Sequence, residues 1–273
     1  ENVSMSRVRE LQARRGPATR VIIGGCVPAI NPEGLRQIHD GPTFGPRTLE
    51  KAAAVSGLTQ DFDQIPAIAA SRDEPGTATV RISTGCLDRC AYCAIPFANG
   101  RIRSRGLDAI TRDVLEACAQ GYQRVHLVSE DVGAWGRDIS MTLVDLLDHL
   151  IAMPLPVLFQ LDNLNPNWLI AELPALQERL QSPKILKRFY VPIQSGSDTV
   201  LARMRRRYTA AEIREVFGAL RAAIPSARFS IDLIAGFPGE TNKEFEETRE
   251  LLRELRPDFS SIYAFEERER TEA

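Results

Sequence analysis

The sequence predicts an α/β protein in which a partial (β/α)6 barrel of the TIM type follows the remnant of a small α/β domain. From Thr77 onward, short runs of β-branched and apolar residues alternate six times with longer segments of helical periodicity. Helices of about 10 to 15 residues between strands imply right-handed crossovers and therefore a parallel sheet. The length of 273 residues suits one large domain or two modest ones of roughly 150 residues each.

Residues 1 to about 60 differ from the rest of the chain. They contain a helical pattern (residues 6–16), one strongly apolar strand (20–25) and a second helical pattern (46–57). Because one strand cannot form a sheet, this region is interpreted as the end of an α/β domain whose beginning is missing. A polar, acidic stretch, residues 59–76, then leads into the barrel.

The domain boundary is predicted near Ser71 to Gly76, which gives an N-terminal part (residues 1–72) and a barrel (73–273). In barrels of this type the active site lies in the loops at the C-terminal ends of the strands. The predicted strands are residues 77–83, 123–129, 156–162, 188–194, 227–234 and 259–265. The helical segments between them are residues 107–121, 141–152, 169–181, 199–204 with 210–224, and 242–255.

Composition narrows the class of protein. With 34 Lys and Arg against 36 Asp and Glu, the net charge of −2 gives no global reason to bind nucleic acid, so such binding must be local. No apolar run approaches the roughly 18 residues that span a bilayer, and the first residues lack the apolar core of a secretory signal. We expect a cytoplasmic protein without a membrane partner. Five cysteines, an odd number, then favour metal or redox chemistry over a disulfide framework.

Three cysteines follow the first barrel strand in the loop STGCLDRCAYCAIPFANGRIRSR. Cys86, Cys90 and Cys93 have the spacing C-x3-C-x2-C, which suits a cubane iron–sulfur cluster whose fourth iron stays open to bind a ligand. A structural zinc site needs four ligands, and the nearest candidates, Cys118 and His126, are far along the chain. A redox pair of the C-x2-C type would not need Cys86.

The chain resembles the radical S-adenosylmethionine enzymes and, within them, the methylthiotransferases. This resemblance implies that Cys86, Cys90 and Cys93 hold a [4Fe–4S] cluster and that the amino and carboxylate groups of S-adenosylmethionine bind its open iron, with Tyr92 nearby. An electron from a donor such as flavodoxin or ferredoxin then cleaves the sulfonium and yields a 5′-deoxyadenosyl radical, which abstracts hydrogen from a C–H bond. The matching segments are residues 23–35, 85–105, 129–138, 191–209 and 232–248.

The resemblance also implies a second [4Fe–4S] cluster, for which Cys26 matches the last of three cysteine ligands. The other two would lie upstream of Glu1. The family closes its barrel and adds a C-terminal RNA-binding domain, whereas this chain stops soon after the sixth strand. It also carries Arg270 where the family has glycine, and residues 188–190 (Arg-Phe-Tyr) in place of a His-rich segment.

Further candidates for cofactor binding lie where the predicted strands end. Polar side chains and glycines at these loops can bond to a cofactor or allow close backbone approach. Helix capping and solvation are the alternative roles. The candidates are Ser129, Glu130, Asp131, Gln194, Ser195, Asp232 and Gly236.

Five arginines are candidates for substrate binding because guanidinium groups suit phosphate and carboxylate. One group lies beside the cysteine loop and another surrounds the fourth strand, where a solvated helix end explains residues 205–207 equally well. Cys118 is expected to be a core thiol, and His126 and His149 to have core or surface roles. The substrate-binding candidates are Arg101, Arg103, Arg105, Arg188 and Arg203.

The leading hypothesis is a radical methylthiotransferase that inserts sulfur and a methyl group at a C–H bond, on a modified adenosine of tRNA. Within the family the resemblance points to enzymes of threonylcarbamoyl-adenosine. A divergent enzyme acting on a peptide or small metabolite is the first alternative. A non-catalytic iron–sulfur or zinc protein is the second, and it predicts no formation of 5′-deoxyadenosine.

Overall fold

The computed structural model describes residues 2–56, 68–71 and 74–273. Eleven strands are present in these described residues. Most are short, and the longest belong to the C-terminal two thirds of the chain. In chain order they are β1 (Ile23–Gly24), β2 (Thr43–Phe44), β3 (Ile68–Ala70), β4 (Thr77–Arg81), β5 (Ser83–Thr84), β6 (Arg103–Ser104), β7 (Arg124–Val128), β8 (Leu158–Leu161), β9 (Ile185–Gln194), β10 (Arg228–Ala235) and β11 (Phe259–Ala264).

Twelve α-helices lie in the same described part of the chain, together with a 3-10 turn at Val132–Ala134. They are α1 (Asn2–Arg14), α2 (Val27–Ile30), α3 (Pro32–Arg36), α4 (Leu49–Ser56), α5 (Ile95–Asn99), α6 (Leu107–Ala119), α7 (Leu143–Ala152), α8 (Pro166–Ala171), α9 (Leu173–Leu180), α10 (Asp198–Arg203), α11 (Ala210–Ala223) and α12 (Asn242–Leu255). None of them is long and apolar enough to span a membrane.

The main sheet has the strand order β11-β10-β9-β8-β7-β4-β3. Six strands of this sheet are parallel neighbours in chain order, namely β4, β7, β8, β9, β10 and β11. This order confirms the predicted partial (β/α)6 barrel. The predicted strand bounds differ from the observed ones by a few residues. β3 is an unpredicted seventh strand, antiparallel to β4, and it lies before the predicted domain boundary. The division into two domains stays a prediction.

The two faces of this sheet differ in polarity. Residues such as Val125, Leu127 and Phe159 point to the helix-covered outer face and are completely buried. The inner face carries partly exposed polar side chains in register across strands, as Thr79, His126 and Gln160 show. We call this row the inner face; its members are Thr79, His126, Gln160, Tyr190, Ser230 and Asp232.

The hydrophobic core of the barrel therefore lies between the sheet and its helices. Threonine residues begin three of these helices with complete capping boxes, in which the Thr hydroxyl and a carboxylate three residues later satisfy the first backbone N–H groups. These residues are Thr142, Thr209 and Thr241.

Three sequence predictions about elements were wrong. The N-terminal part has a second strand, β2, parallel to β1, which a two-residue segment could not reveal. The segment 169–181 forms two helices instead of one, because Pro174 lacks an N–H and occupies the first turn of α9. The first barrel strand ends at Arg81, and β5 pairs with the unpredicted β6. Residues 59–67 and 72–73 of the predicted connection, and residue 57 of the second predicted helical pattern, lie outside the described residues.

Candidate cluster and cofactor site

The cysteine loop, residues 85–102, is closed at its base by the β5–β6 pair. The backbone N–H of Cys86 donates to the carbonyl of Gly100 at 3.2 Å. Gly85 has φ +81°, and a Cβ at this position would collide with the carbonyl of Arg101. Glycine is therefore needed where the two ends of the loop meet.

The three thiols of this loop are partly buried and none of them forms a disulfide. Burial raises the pKa of all three, that of Cys86 to about 12, and the nearby carboxylate of Asp131 adds to the effect on Cys86. Charge repulsion from Cys90 also raises the pKa of both Cys86 and Cys93. A positive group bound here would convert them to thiolates.

The donor set fits a cubane cluster better than a single ion. Among the described residues, no three His, Cys, Asp or Glu side chains converge as the ligands of one metal ion. In a cubane each thiolate binds a different iron, so the three sulfurs surround a larger group. Three thiols on one loop match that requirement.

Asp88 anchors the cysteine loop to the rest of the barrel. Its carboxylate is 8% exposed and accepts hydrogen bonds from the amides of Asn165 at 2.8 Å and Asn167 at 2.9 Å. The guanidinium of Arg207 donates to the other carboxylate oxygen at 2.6 Å. The backbone N–H of Asp88 lies 3.4 Å from the sulfur of Cys86, so this anchor and the first ligand are coupled.

Ser129 and Glu130 support the loop from the end of β7. Glu130 accepts the N–H of Gly85 at 2.9 Å and the side-chain amide of Asn99, which lie before and after the cysteines. The hydroxyl of Ser129 is 2.6 Å from that of Ser83 in β5. In this structure Glu130 bonds to the loop and Ser129 to the strand that precedes it, and the contact of both side chains with a cofactor stays a prediction.

Asp131 is 2% exposed, and one carboxylate oxygen accepts the indole N–H of Trp168 at 2.8 Å. The other oxygen has no hydrogen-bond partner. Burial raises the pKa of Asp131 to about 6, although the bond from Trp168 acts in the opposite direction. An unpaired buried acceptor beside Cys86 is suited to a donor group of a bound ligand.

A cavity of about 450 Å³ opens beside Cys93 at the C-terminal ends of the strands. Three of the predicted cofactor-binding residues, Tyr92, Gln194 and Asp232, line it, and their contact with a cofactor stays a prediction. One oxygen of Asp232 accepts the hydroxyl of Tyr190, and the other is buried without a partner. The remaining lining residues are Ile30, Ala94, Ile95, Ile234, Tyr263, Ala264, Phe265, Glu266 and Arg268.

Like Ser129, Glu130 and Asp131, the predicted residues Ser195 and Gly236 are not part of this lining. Ser195 is completely buried and its hydroxyl is 3.1 Å from that of Thr248 on α12. Gly236 is exposed with φ +74°, and its N–H donates to Glu240 at 2.5 Å. The next residue, Phe237, packs edge-on against Tyr92 with ring centroids 6.4 Å apart. Gly236 thus shapes a turn that delivers an aromatic ring to the site.

Arg206 is a site residue that the sequence did not single out. Its guanidinium lies 5.9 Å from the ring centroid of Tyr92 and 5.7 Å from that of Tyr208. Its Nε is buried without a hydrogen-bond partner, whereas Arg205 and Arg207 are exposed. Three consecutive arginines carry no signal that distinguishes a buried member from solvated ones, so this position needed the structure.

Three of the five predicted substrate-binding arginines form ion pairs within the fold. Arg105 contacts Asp113 at 2.7 Å. Arg188 contacts Glu74 at 3.2 Å, and Arg203 contacts Glu244 at 3.1 Å. Arg101 and Arg103 are exposed beside the cysteine loop.

Cys26 lies at the start of α2 and packs against the small apolar cluster of Ile30, Ala94 and Ala98. Since α5 begins two residues after Cys93, the structure brings the N-terminal cysteine to the cysteine loop. Burial raises the pKa of Cys26, and the charge of Glu130 adds to this effect.

The remaining cysteine and two histidines have local partners. Cys118 packs against the barrel core, in agreement with the expected core thiol. Burial raises the pKa of Asp162, and His126 at 3.7 Å acts in the opposite direction. His149 lies 2.7 Å from the hydroxyl of Thr111 on α6.

Comparisons with known proteins agree with this geometry. Residues 80–252 match the radical SAM superfamily model. A probable threonylcarbamoyladenosine tRNA methylthiotransferase of Methanothermobacter thermautotrophicus is 30% identical over 99% of this chain and 66% of its own. A tRNA-2-methylthio-N(6)-dimethylallyladenosine synthase of Nitrosomonas eutropha is 33% identical over 95% of this chain and 62% of its own. The chain thus spans less than two thirds of these two curated relatives.

Among solved structures, the radical S-adenosylmethionine methyltransferase TsrM of Kitasatospora setae, with cobalamin and a [4Fe–4S] cluster bound, has a TM-score of 0.63. It is 14% identical and is matched over 98% of this chain and 68% of that chain, which supports the fold alone. The family model covers more than half of the chain and includes Cys86, Cys90 and Cys93. This chain therefore belongs to the radical S-adenosylmethionine superfamily, whose members use a [4Fe–4S] cluster and S-adenosylmethionine.

Proposed function

We propose that this chain is the radical-generating part of a methylthiotransferase that modifies an adenosine of tRNA. The packing of Cys26 against α5 is the observation that supports this function best, because it brings a candidate sulfur-site ligand beside the cysteine loop. The names of the two curated relatives point to the same activity. Threonylcarbamoyl-adenosine is the proposed base.

Each part of the site then has a separate task. Cys86, Cys90 and Cys93 hold the cluster, which when bound supplies the electron that cleaves S-adenosylmethionine. Asp88 holds the loop through hydrogen bonds from the side-chain amides of Asn165 and Asn167. Glu130 holds it through the backbone N–H of Gly85. A fixed loop keeps the ligand geometry constant during reduction.

We assign the cavity beside Cys93 to S-adenosylmethionine. The unpaired oxygen of Asp232 in its lining is an acceptor for ammonium or hydroxyl donors, whereas that of Asp131 is near Cys86 and outside the lining. Tyr92 and Phe237 supply an apolar wall. Arg206 stands behind Tyr92, where its charge is available to a carboxylate. The protein's part is thus orientation and exclusion of water, since the cofactor supplies the reactive carbon.

Arg101 and Arg103 are the proposed tRNA contacts, because they are exposed beside the loop and form no ion pair among the described residues. A small metabolite or peptide is the second candidate substrate. The ion pairs of Arg105, Arg188 and Arg203 favour it, since they leave fewer free cations for an RNA backbone.

The first experiment is anaerobic reconstitution followed by iron and sulfide counting. One cubane predicts about four of each per chain, and a second cluster at Cys26 predicts about eight. Reduction in the presence of S-adenosylmethionine, with dithionite or flavodoxin as the donor, should release 5′-deoxyadenosine. A chain that binds no iron and releases none of this product contradicts the proposal. Methylthio-adenosine in added tRNA would distinguish tRNA from the alternative substrates.

A further inference from the structure

The C-terminal residues 268–273 lie across the cysteine loop. The backbone N–H groups of Glu272 and Ala273 donate to the carbonyl of Ala91, at 3.0 and 3.1 Å. Ala273 also packs against the apolar cluster that contains Ala91 and Phe237. The end of the described chain is thus attached to the segment between Cys90 and Cys93.

Arg270, within this segment, connects two elements that are far apart in sequence. Its Nη1 donates to the carbonyl of Ala29 at 3.0 Å, and its guanidinium carbon lies 4.4 Å from the ring centroid of Phe97. Ala29 is on α2, three residues after Cys26, and Phe97 is on α5, four residues after Cys93. One side chain therefore joins the two cysteine-bearing segments.

The backbone at this position is unfavourable for arginine. Arg270 has φ +69°, in the left-handed region, where a Cβ adds a steric cost relative to the right-handed region. Glycine adopts the same conformation without this cost. The contacts of the guanidinium consequently have to offset a local strain that glycine would remove.

The segment that carries Cys26 is built from short elements and packs on a small apolar core of Met5, Val8, Ile23 and Leu35. Its strand pair has two residues in each strand, and α2 has four residues. Its packing against α5 involves small side chains, namely Ala94 and Ala98 with Ile30. The guanidinium of Arg270 adds a polar link beside this contact between α2 and α5.

We propose that Arg270 is a positioning residue that sets the placement of Cys26 relative to the loop of Cys86, Cys90 and Cys93. The inference rests on the proposed function, because it gives Cys26 a part in sulfur transfer. Removing the link lets the α2 segment move away from α5 while the three-cysteine loop keeps its own anchors at Asp88 and Glu130.

The test compares Arg270→Gly with Arg256→Gly. Arg256 has φ +43° at the end of α12, so its replacement also relieves strain but lies outside the site. Cys26 alkylation by iodoacetamide is measured by mass spectrometry in the protein without cluster, relative to Cys118 in the same chain. We expect Arg270→Gly to raise this ratio about fivefold, the equivalent of about 1 kcal/mol of lost contact, and Arg256→Gly to leave it unchanged.

Neither variant should lose thermal stability, because glycine fits both backbones. A ratio within about twofold of the wild type for Arg270→Gly would overturn the positioning role. Arg270→Lys keeps the charge and should restore part of the protection of Cys26. After reconstitution, Arg270→Gly should still cleave S-adenosylmethionine but form fewer methylthio groups per 5′-deoxyadenosine. If the wild type forms no methylthio product while the alkylation ratio still rises, the placement of Cys26 holds and the proposed function fails.

Discussion

Replacing Asp88 by alanine removes the anchor of the cysteine loop without touching a thiol. The carboxylate accepts two amide N–H groups and one guanidinium, and Asn165 is 6% exposed. Leaving a buried donor unsatisfied costs about 1 to 3 kcal/mol. The pair with Arg207 adds at most about 1 kcal/mol, because the arginine side chain is 62% exposed.

The expected loss of unfolding free energy is therefore about 2 to 4 kcal/mol, of which Asn165 and Asn167 account for most. Urea denaturation of the protein without cluster measures it, and Arg207→Ala is the matched control, with an expected loss below about 1 kcal/mol. Iron binding should weaken in Asp88→Ala, because the N–H beside the Cys86 sulfur is no longer fixed. A loss for Asp88→Ala no larger than that of the control would refute the anchoring role.

Three other substitutions test separate parts of the structure. Cys90→Ala should abolish release of 5′-deoxyadenosine with little change in thermal stability, whereas Cys118→Ala should keep this activity; product formation by Cys90→Ala would mean that the ligands are assigned wrongly. Gly85→Ala should cost more than about 2 kcal/mol in urea denaturation, because φ is +81° and the Cβ meets a carbonyl, while Gly106→Ala, with open space, should stay within about 0.5 kcal/mol. Burial raises the pKa of Asp162, so its charged form destabilises the fold above that pKa. The wild type should therefore gain stability relative to Asp162→Asn as the pH falls from 7.5 towards 4. A difference in unfolding free energy that is the same at both pH values in urea denaturation would argue against this effect.

The barrel and its cysteine loop could be predicted because their signals are local. The alternation of apolar and polar residues predicts strand β10, and the threonine that precedes α12 predicts the start of that helix. Each signal lies within about a dozen residues. The spacing of the three cysteines likewise lies within one loop. The comparisons confirm the resemblance to radical SAM enzymes that these motifs indicated.

Other features depend on contacts between distant parts of the chain. The Asp88 carboxylate meets Asn165, 77 positions away, and no pattern in either segment reveals it. Arg206 is buried because Tyr92 and Tyr208 come together in the fold. β2 and β3 are too short for periodicity to indicate a strand.

Because one face of the sheet is apolar and buried and the other is polar and partly exposed, substitutions on the two faces have different effects on folding. Mutations at outer-face positions such as Leu127 or Phe159 disturb a close-packed interior and are removed for their effect on folding. Inner-face positions such as His126 and Gln160 alternate with them along the same strands but contribute little packing. Substitutions on the inner face can therefore accumulate one residue at a time while the packed outer face keeps the barrel folded.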